Sequence, residues 1–442
     1  MVWPLKLDGF NIGESQAAEI ARIIEAAVGG DVPALQSLVS GGGNLVKPSN
    51  WFATQEFANP VAYTGTGSTF ANRRSFALPF TGGRLIAYNA GAVPAADCNR
   101  VVGNATSAAV TTQAANFVTP TWGNGKAGPV AAGLFSGTAS VNVAEFALSD
   151  TFALPSVARG DGGSGYIAEL RTYVPNAVDT VYALAPDQGT AIQLLTAGGV
   201  AYSGASKAGD FVTTNQAGFS TLGTSTHFIF GDMLLFTDSA VYTVAAGGDS
   251  LMRGQYGDEG RQNDIRIACD SLTLAGVANV QFLQHTRPSA GVDSYGPSCI
   301  NFIRRMRPGI FFYCPSSPND SGLDVAATLN KSKNWLFAVK QECDAVGTTL
   351  VIANQPPWAP FSGTQDNALK AFNAYLSTLA TQLGVKYFDR YAATTDGASP
   401  ASLLPAYQWP TGTANQKAHL NNMAYAALAV PAAAIIRTLI GK

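Results

Sequence analysis

The sequence predicts a multidomain protein: an N-terminal helical segment (1–40), a mainly antiparallel β-sandwich or jelly-roll-like region (41–238), and a three-layer α/β/α domain with a parallel sheet (239–442). Three observations predict it. The chain has 442 residues, which at about 150 residues per domain makes two or three domains. Between 41 and 238 short β-type runs are separated by turns rich in Gly, Ser, Thr and Ala. Beyond 239 apolar strands alternate with helical stretches, the arithmetic of βαβ units.

Taken in order, the stretch ESQAAEIARIIEAAV over 14–28 places Ile20, Ile23, Ile24 and Val28 at helical spacing, with Ser15 as a cap and Gly29-Gly30 as the stop. The runs TVYALAP (180–186), AIQLLTA (191–197) and HFIFGDMLLF (227–236) read as strands, and ARGDGGSG (158–165) as a loop. No repeat of 20 to 50 residues indicates a solenoid or propeller. The strands VYTVAA, VANVQFLQ, GIFFYC, TTLVIAN and KYFDRY then alternate with helices such as AATLNKSKNWLFAVKQE and ALKAFNAYLSTLATQL, and a last helix closes the chain. In such a sheet the ligand site lies in the loops at the carboxyl ends of the strands.

Composition narrows the function. Lys and Arg total 27 and Asp and Glu 29, a net charge of -2, so no basic surplus exists to hold a nucleic acid. With 47% hydrophobic residues the chain can bury enough apolar surface to fold. Five cysteines (Cys98, Cys269, Cys299, Cys314 and Cys343), with no C-x-x-C pair, point to neither a disulfide scaffold nor a zinc site, and at most two disulfides could form. No cofactor or metal is expected. The start MVWPLKLDGF has no signal-peptide pattern, and the longest apolar stretch, Met423 to Ile436 with Pro431 inside it, is shorter than the roughly 20 residues a membrane span needs.

Candidate chemistry sits at GGDS, where a buried strand runs into Gly247-Gly248-Asp249-Ser250 and then into a helix. Glycines allow a tight turn there, and the helix N-terminus offers free N–H groups to a developing oxyanion, so Ser250 suits a nucleophile; it also suits a plain N-cap. A serine hydroxyl needs a base. Of three histidines, His227 lies in the β region and His285 at a strand end, where a structural role is expected. His419, in NQKAHLNNMAY before the last helix, is the remaining candidate, its plainer alternative being a helix-capping role.

In these segments the sequence resembles the SGNH hydrolases, also called GDSL esterases and lipases. GGDS resembles the nucleophile block, Gly291 in SAGVDSYG the oxyanion glycine, Asn319-Asp320 in CPSSPNDSG the asparagine block, and AHLNNMAY the histidine block. The resemblance spans roughly 239–442. It implies acyl transfer by Ser250 with His419 as base, an oxyanion hole of the Ser250 and Gly291 N–H groups and the Asn319 amide, and no metal. Two departures stand out. Gln416 occupies the place of the family's aspartate three residues before the histidine, leaving a Ser-His dyad, with Asp396 as a remote substitute and Asp389 as a strand-end residue. Ser317 replaces the glycine of G-x-N-D.

Appended β domains beside such a hydrolase resemble microbial carbohydrate esterases or phage tail proteins. The expected substrate is therefore an acylated polysaccharide carrying short, acetyl-like groups, in an extracellular or virion-associated setting, with a homo-oligomer left open. Aromatics in NWFATQEFANPVAYTG and TPTWGNGKAGP could stack on sugars or simply fill a core. The alternatives are a carbohydrate-binding or virion structural protein whose hydrolase domain has decayed, and a lipase or polyester hydrolase.

Overall fold

A computed structural model describes residues 45–53, 61–63, 67–89, 99–109, 114–122, 126–127, 145–174, 181–183, 202–210, 220–221, 232–255, 263–320, 325–358 and 360–442. The helix expected over 14–28, the β run at 191–197, His227 and Cys98 lie outside them.

The described strands used below are β1 (Ser49–Ala53), β2 (Ser68–Phe76), β3 (Gly82–Asn89), β4 (Asn99–Ala105), β5 (Tyr166–Val174), β6 (Tyr202–Ala208), β7 (Asp232–Gly248), β8 (Val280–Thr286), β9 (Ile310–Tyr313), β10 (Thr349–Ala353) and β11 (Lys386–Phe388). The helices are α1 (Ser250–Arg253), α2 (Asp264–Leu274), α3 (Val292–Met306), α4 (Val325–Val346), α5 (Gly363–Gln382) and α6 (Asn422–Ile440).

Strands β8, β7, β9, β10 and β11 lie side by side in that order and run parallel. Side chains alternate along them because a strand's period is two. Ala245, Leu283, Phe311, Tyr313, Leu350 and Ile352 face α3, α4 and α5, which contribute Tyr295, Phe302, Leu336, Val339, Phe372 and Leu376. Val244, Ala246, Phe282, Ile310, Phe312, Val351 and Ala353 face α2 and α6, which contribute Ile265, Ala268, Leu272, Ala424, Leu428 and Ile436. Both faces of the parallel strands are thus covered, the arrangement that near-continuous apolar strands predict.

Sequence reading separates the runs 227–236 and 241–246, because Asp238, Ser239 and Ala240 interrupt the apolar pattern. The structure joins most of them in one strand of 17 residues, β7. Its first part pairs antiparallel with β3 (Asp232 opposite Ile86, Phe236 opposite Gly82) and with β1. Its last part pairs parallel with β8 and β9. The register against β1 shifts between Ser49 and Trp51, and exposure falls on Asp238 and Ala240, so the interruption marks a bulged seam inside a strand.

A second, antiparallel sheet orders β6, β2, β5 and β4 side by side. Phe76, Val102, Ala168 and Leu170 from it share a core with Phe52, Leu85, Met233 and Leu235 from the strands around the start of β7. On β2 and β5 the buried Arg73, Glu169 and Arg171 form two ion pairs through the one carboxylate.

The closing helix is longer than the apolar run suggests: α6 has 19 residues with Pro431 inside it. By length and composition it is long and apolar enough to cross a membrane, but Tyr425, Leu428, Ala432, Ile436 and Ile440 are buried against α2 and the sheet. Cys269, Cys299, Cys314 and Cys343 are buried free thiols.

Candidate active site

The site forms where β7 ends. Gly247 and Gly248 are demanded by packing: a Cβ on Gly247 would stand 2.5 Å from Cys299 Sγ and 2.6 Å from Phe311 Cζ, and one on Gly248 would stand 2.5 Å from Met252 Cγ. The Cys314 N–H donates to Gly247 O at 3.1 Å and the Arg287 N–H to Gly248 O at 2.8 Å, so the strand end is held from both sides. Asp249 then caps α1, its Oδ1 accepting the Leu251 N–H at 2.9 Å. The cap is therefore Asp249, and Ser250 is the first helical residue, its hydroxyl free to point elsewhere.

That hydroxyl meets His419. Their Oγ and Nε2 atoms are 3.0 Å apart, both residues are buried, and 169 positions of sequence separate them. His419 reaches the site from the loop before α6, where its N–H donates to Gln416 O at 3.0 Å. Its ring stands at 81° to the indole of Trp358, centroids 5.1 Å apart, and so it is buttressed from the β10–α5 loop. Sequence reading overlooks Trp358, whose loop carries no motif.

The carbonyls of the turn after Ser250 are also tied down. Arg390, fully buried, donates through Nη2 to Leu251 O at 2.8 Å and through Nε to Asp264 Oδ2 at 2.8 Å. Asn263 Nδ2 donates to Met252 O at 3.1 Å. These contacts fix the helix turn that carries Ser250.

Gly291 and Asn319 lie in neighbouring loops. Gly291 caps α3, and a Cβ there would stand 2.3 Å from Asp320 Oδ1, which explains the glycine. Asp320 bridges the loops, its Oδ1 accepting the Val292 N–H at 2.8 Å and its Oδ2 the Ser317 N–H at 3.2 Å. The Asn319 amide Nδ2 donates to Ser317 Oγ at 3.0 Å and to Ala290 O at 3.3 Å. Ser317 Oγ donates to Asp249 Oδ2 at 2.6 Å. Burial raises the Asp249 carboxyl to about 6, against the pull of its hydrogen bonds from Ser317 and Leu251. Burial also lifts Asp320.

The other candidates make the following contacts. His285 Nε2 lies 2.7 Å from Ser298 Oγ, the ring stacks on Phe302, and burial holds its pKa well below the ordinary value. Asp389 accepts the Ala392 N–H at 3.0 Å and the Asn354 amide at 2.7 Å, capping the turn Arg390–Thr394. Asp396 accepts the Ala398 and Ser402 N–H groups of its own loop at 3.0 and 2.9 Å. The Gln416 side chain folds over Gly412, where an added Cβ would lie 2.1 Å from its Oε1. Among the described residues no group of three or more His, Cys, Asp or Glu could hold a metal ion.

No protein-family model matches the chain, and no curated protein matches it. Solved structures do. A GDSL-like lipase from Bacteroides thetaiotaomicron is similar at 13% identity over 45% of this chain and 87% of its own, with a TM-score of 0.34. A carbohydrate esterase family 3 structure from Talaromyces cellulolyticus is similar at 13% identity over 45% of this chain and 98% of its own, TM-score 0.35. The protein YXIM from Bacillus subtilis is similar at 12% identity over 86% of this chain and 80% of its own, TM-score 0.37. The solved structures that this chain resembles thus include a GDSL-like lipase and a carbohydrate esterase.

Proposed function

We propose that the chain is a serine esterase of the SGNH type that removes short acyl groups, acetyl above all, from carbohydrate. The observation that carries the reading is the 3.0 Å approach of Ser250 Oγ to His419 Nε2 at the carboxyl end of a central parallel strand. A hydroxyl at that distance can pass its proton to the imidazole as the oxygen attacks a carbonyl carbon. The tetrahedral oxyanion then receives hydrogen bonds from the Ser250 and Gly291 N–H groups and the Asn319 amide, each worth about 3 to 4 kcal/mol in such sites. On collapse, imidazolium His419 gives its proton to the leaving alcohol and Ser250 keeps the acyl group. Water, deprotonated by the same imidazole, attacks the acyl-enzyme, releases the acid and restores the hydroxyl.

Trp358 supports the carbohydrate half of the reading. It is half-buried beside the base, where its flat face could receive a sugar ring of the alcohol. In this reading residues 239–442 are the hydrolase domain, and residues 41–238 a sandwich-like accessory that presents the glycan. The test is hydrolysis of a short-chain aryl ester and of an acetylated polysaccharide. Ser250→Ala and His419→Ala are each expected to lower kcat by at least about 10³-fold without a change in thermal midpoint. Equal rates for wild type and Ser250→Ala would end the proposal, and preference for long acyl chains would replace it with a lipase.

A further inference from the structure

Three loops supply the groups assigned above to the oxyanion, and one side chain touches all three. Ser317 Oγ stands 2.6 Å from Oδ2 of Asp249, the residue next to the nucleophile, and 3.0 Å from O of Ala290, the residue next to Gly291. It also accepts hydrogen bonds from Asn319 itself, at 3.1 Å from the backbone N–H and 3.0 Å from the side-chain amide. The serine is buried, so water cannot replace these bonds. A glycine, the residue of the G-x-N-D pattern, would supply none of them.

We infer that Ser317 is a positioning residue, whose hydroxyl, anchored on the Asp249 carboxylate, sets the distance between the nucleophile turn and the Asn319 amide. The hydroxyl has one hydrogen and directs it to the shorter, charge-assisted contact with Asp249. Its lone pairs then face Asn319, accepting the backbone N–H and one amide hydrogen, and the carboxamide plane is fixed. The second amide hydrogen points to Ala290 O at 3.3 Å, the longest bond of the set. An oxyanion, being charged, draws that hydrogen away from the carbonyl, while the bond to Ser317 keeps the amide in place. The hydroxyl thus does at this position what backbone freedom does in the glycine-bearing pattern.

The inference rests on the esterase reading, and its test separates the two. With the full chain and an aryl acetate, wild type against Ser250→Ala reads the esterase assignment; absence of turnover by wild type overturns both statements. Wild type against Ser317→Ala reads the positioning role: kcat falls about 10- to 100-fold with KM within about twofold, and Ser317→Thr, which keeps the hydroxyl, recovers most of the loss. Combined with Asn319→Ala, the Ser317→Ala substitution adds little further loss, because both remove one donor. An unchanged kcat in Ser317→Ala, or losses that multiply in the double variant, would overturn the role. Should Ser317→Ala lose its near-UV circular dichroism, Ser317→Gly takes its place, and a Ser317→Thr variant that is folded but as slow as Ser317→Gly also overturns it.

Discussion

The two regions of this molecule bury charge for different ends. In the antiparallel sheet, Arg73 and Arg171 converge on Glu169 in the middle of β2 and β5, and Arg73 also donates to Ser107 O at 2.7 Å. Its contacts given by the described residues, which include Ala109 O and the Phe117 ring, all lie in the antiparallel region. In the parallel half, buried Arg390 and Asp264 pair at 2.8 Å, and the same guanidinium holds the Leu251 carbonyl in the turn that carries Ser250. Both clusters carry the desolvation cost of buried ions, and breaking either leaves an uncompensated charge. The second holds the turn that carries Ser250. The difference teaches that burial and charge do not by themselves mark a functional site; what matters is which backbone atoms the charged group holds.

Substitutions can sharpen or break this contrast. Removing one partner from each cluster is expected to cost about 3 to 5 kcal/mol of stability, read as a shift in the denaturant midpoint. Glu169→Gln should keep its kcat/KM at temperatures where it stays folded. Arg390→Met, which frees Leu251 O as well, should lose stability by a similar amount and lose kcat too. Equal kcat in the two variants would show that the clusters do not differ.

A smaller effect is expected from Asp249, whose carboxyl is raised by burial to about 6 with Arg390 opposing and Asp320 reinforcing the shift. A folded-state value above the unfolded one means that the native protein binds the extra proton between about pH 4 and 6. This group's contribution therefore favours folding at low pH and is lost as pH rises through that window. Asp249→Asn keeps an acceptor for the Leu251 N–H, so the melting temperature of the variant relative to wild type should climb from pH 4 to 6 and then level off. A difference independent of pH would refute the assignment. Smallest of all, the exposed helix pair Lys340–Asp344 at 2.5 Å should be worth no more than about 0.5 kcal/mol, so Lys340→Ala leaves stability nearly unchanged.

Much of the parallel half was legible in the sequence because its strands are continuous apolar runs and its helices have the matching period. Ser250 stood out because it sits directly beyond such a strand, and His419 because it is one of three histidines and lies just before the closing helix. Trp358, Arg390 and the Ser317 hydroxyl were not legible. Each acts across 61 to 139 residues of sequence on a partner that no spacing rule connects to it. Ser317 entered only as a departure from G-x-N-D, since a pattern registers the missing glycine and not the bonds gained. The seam at Asp238 to Ala240 misled in the opposite sense: polar residues at a bulge look like a break between strands.

That seam has a consequence for how the molecule answers heat. One ribbon of backbone, β7, is at once a wall of the core under the antiparallel sheet and the strand that leads into Ser250. Melting that core strips Met233 and Leu235 of their neighbours and frees the upstream end of the ribbon whose downstream end aims Ser250. The second sheet's core and the Ser250 hydroxyl are thereby tied through one strand into a shared cooperative transition, and any ligand that bound only the folded sheet would also stabilise the turn that carries the hydroxyl.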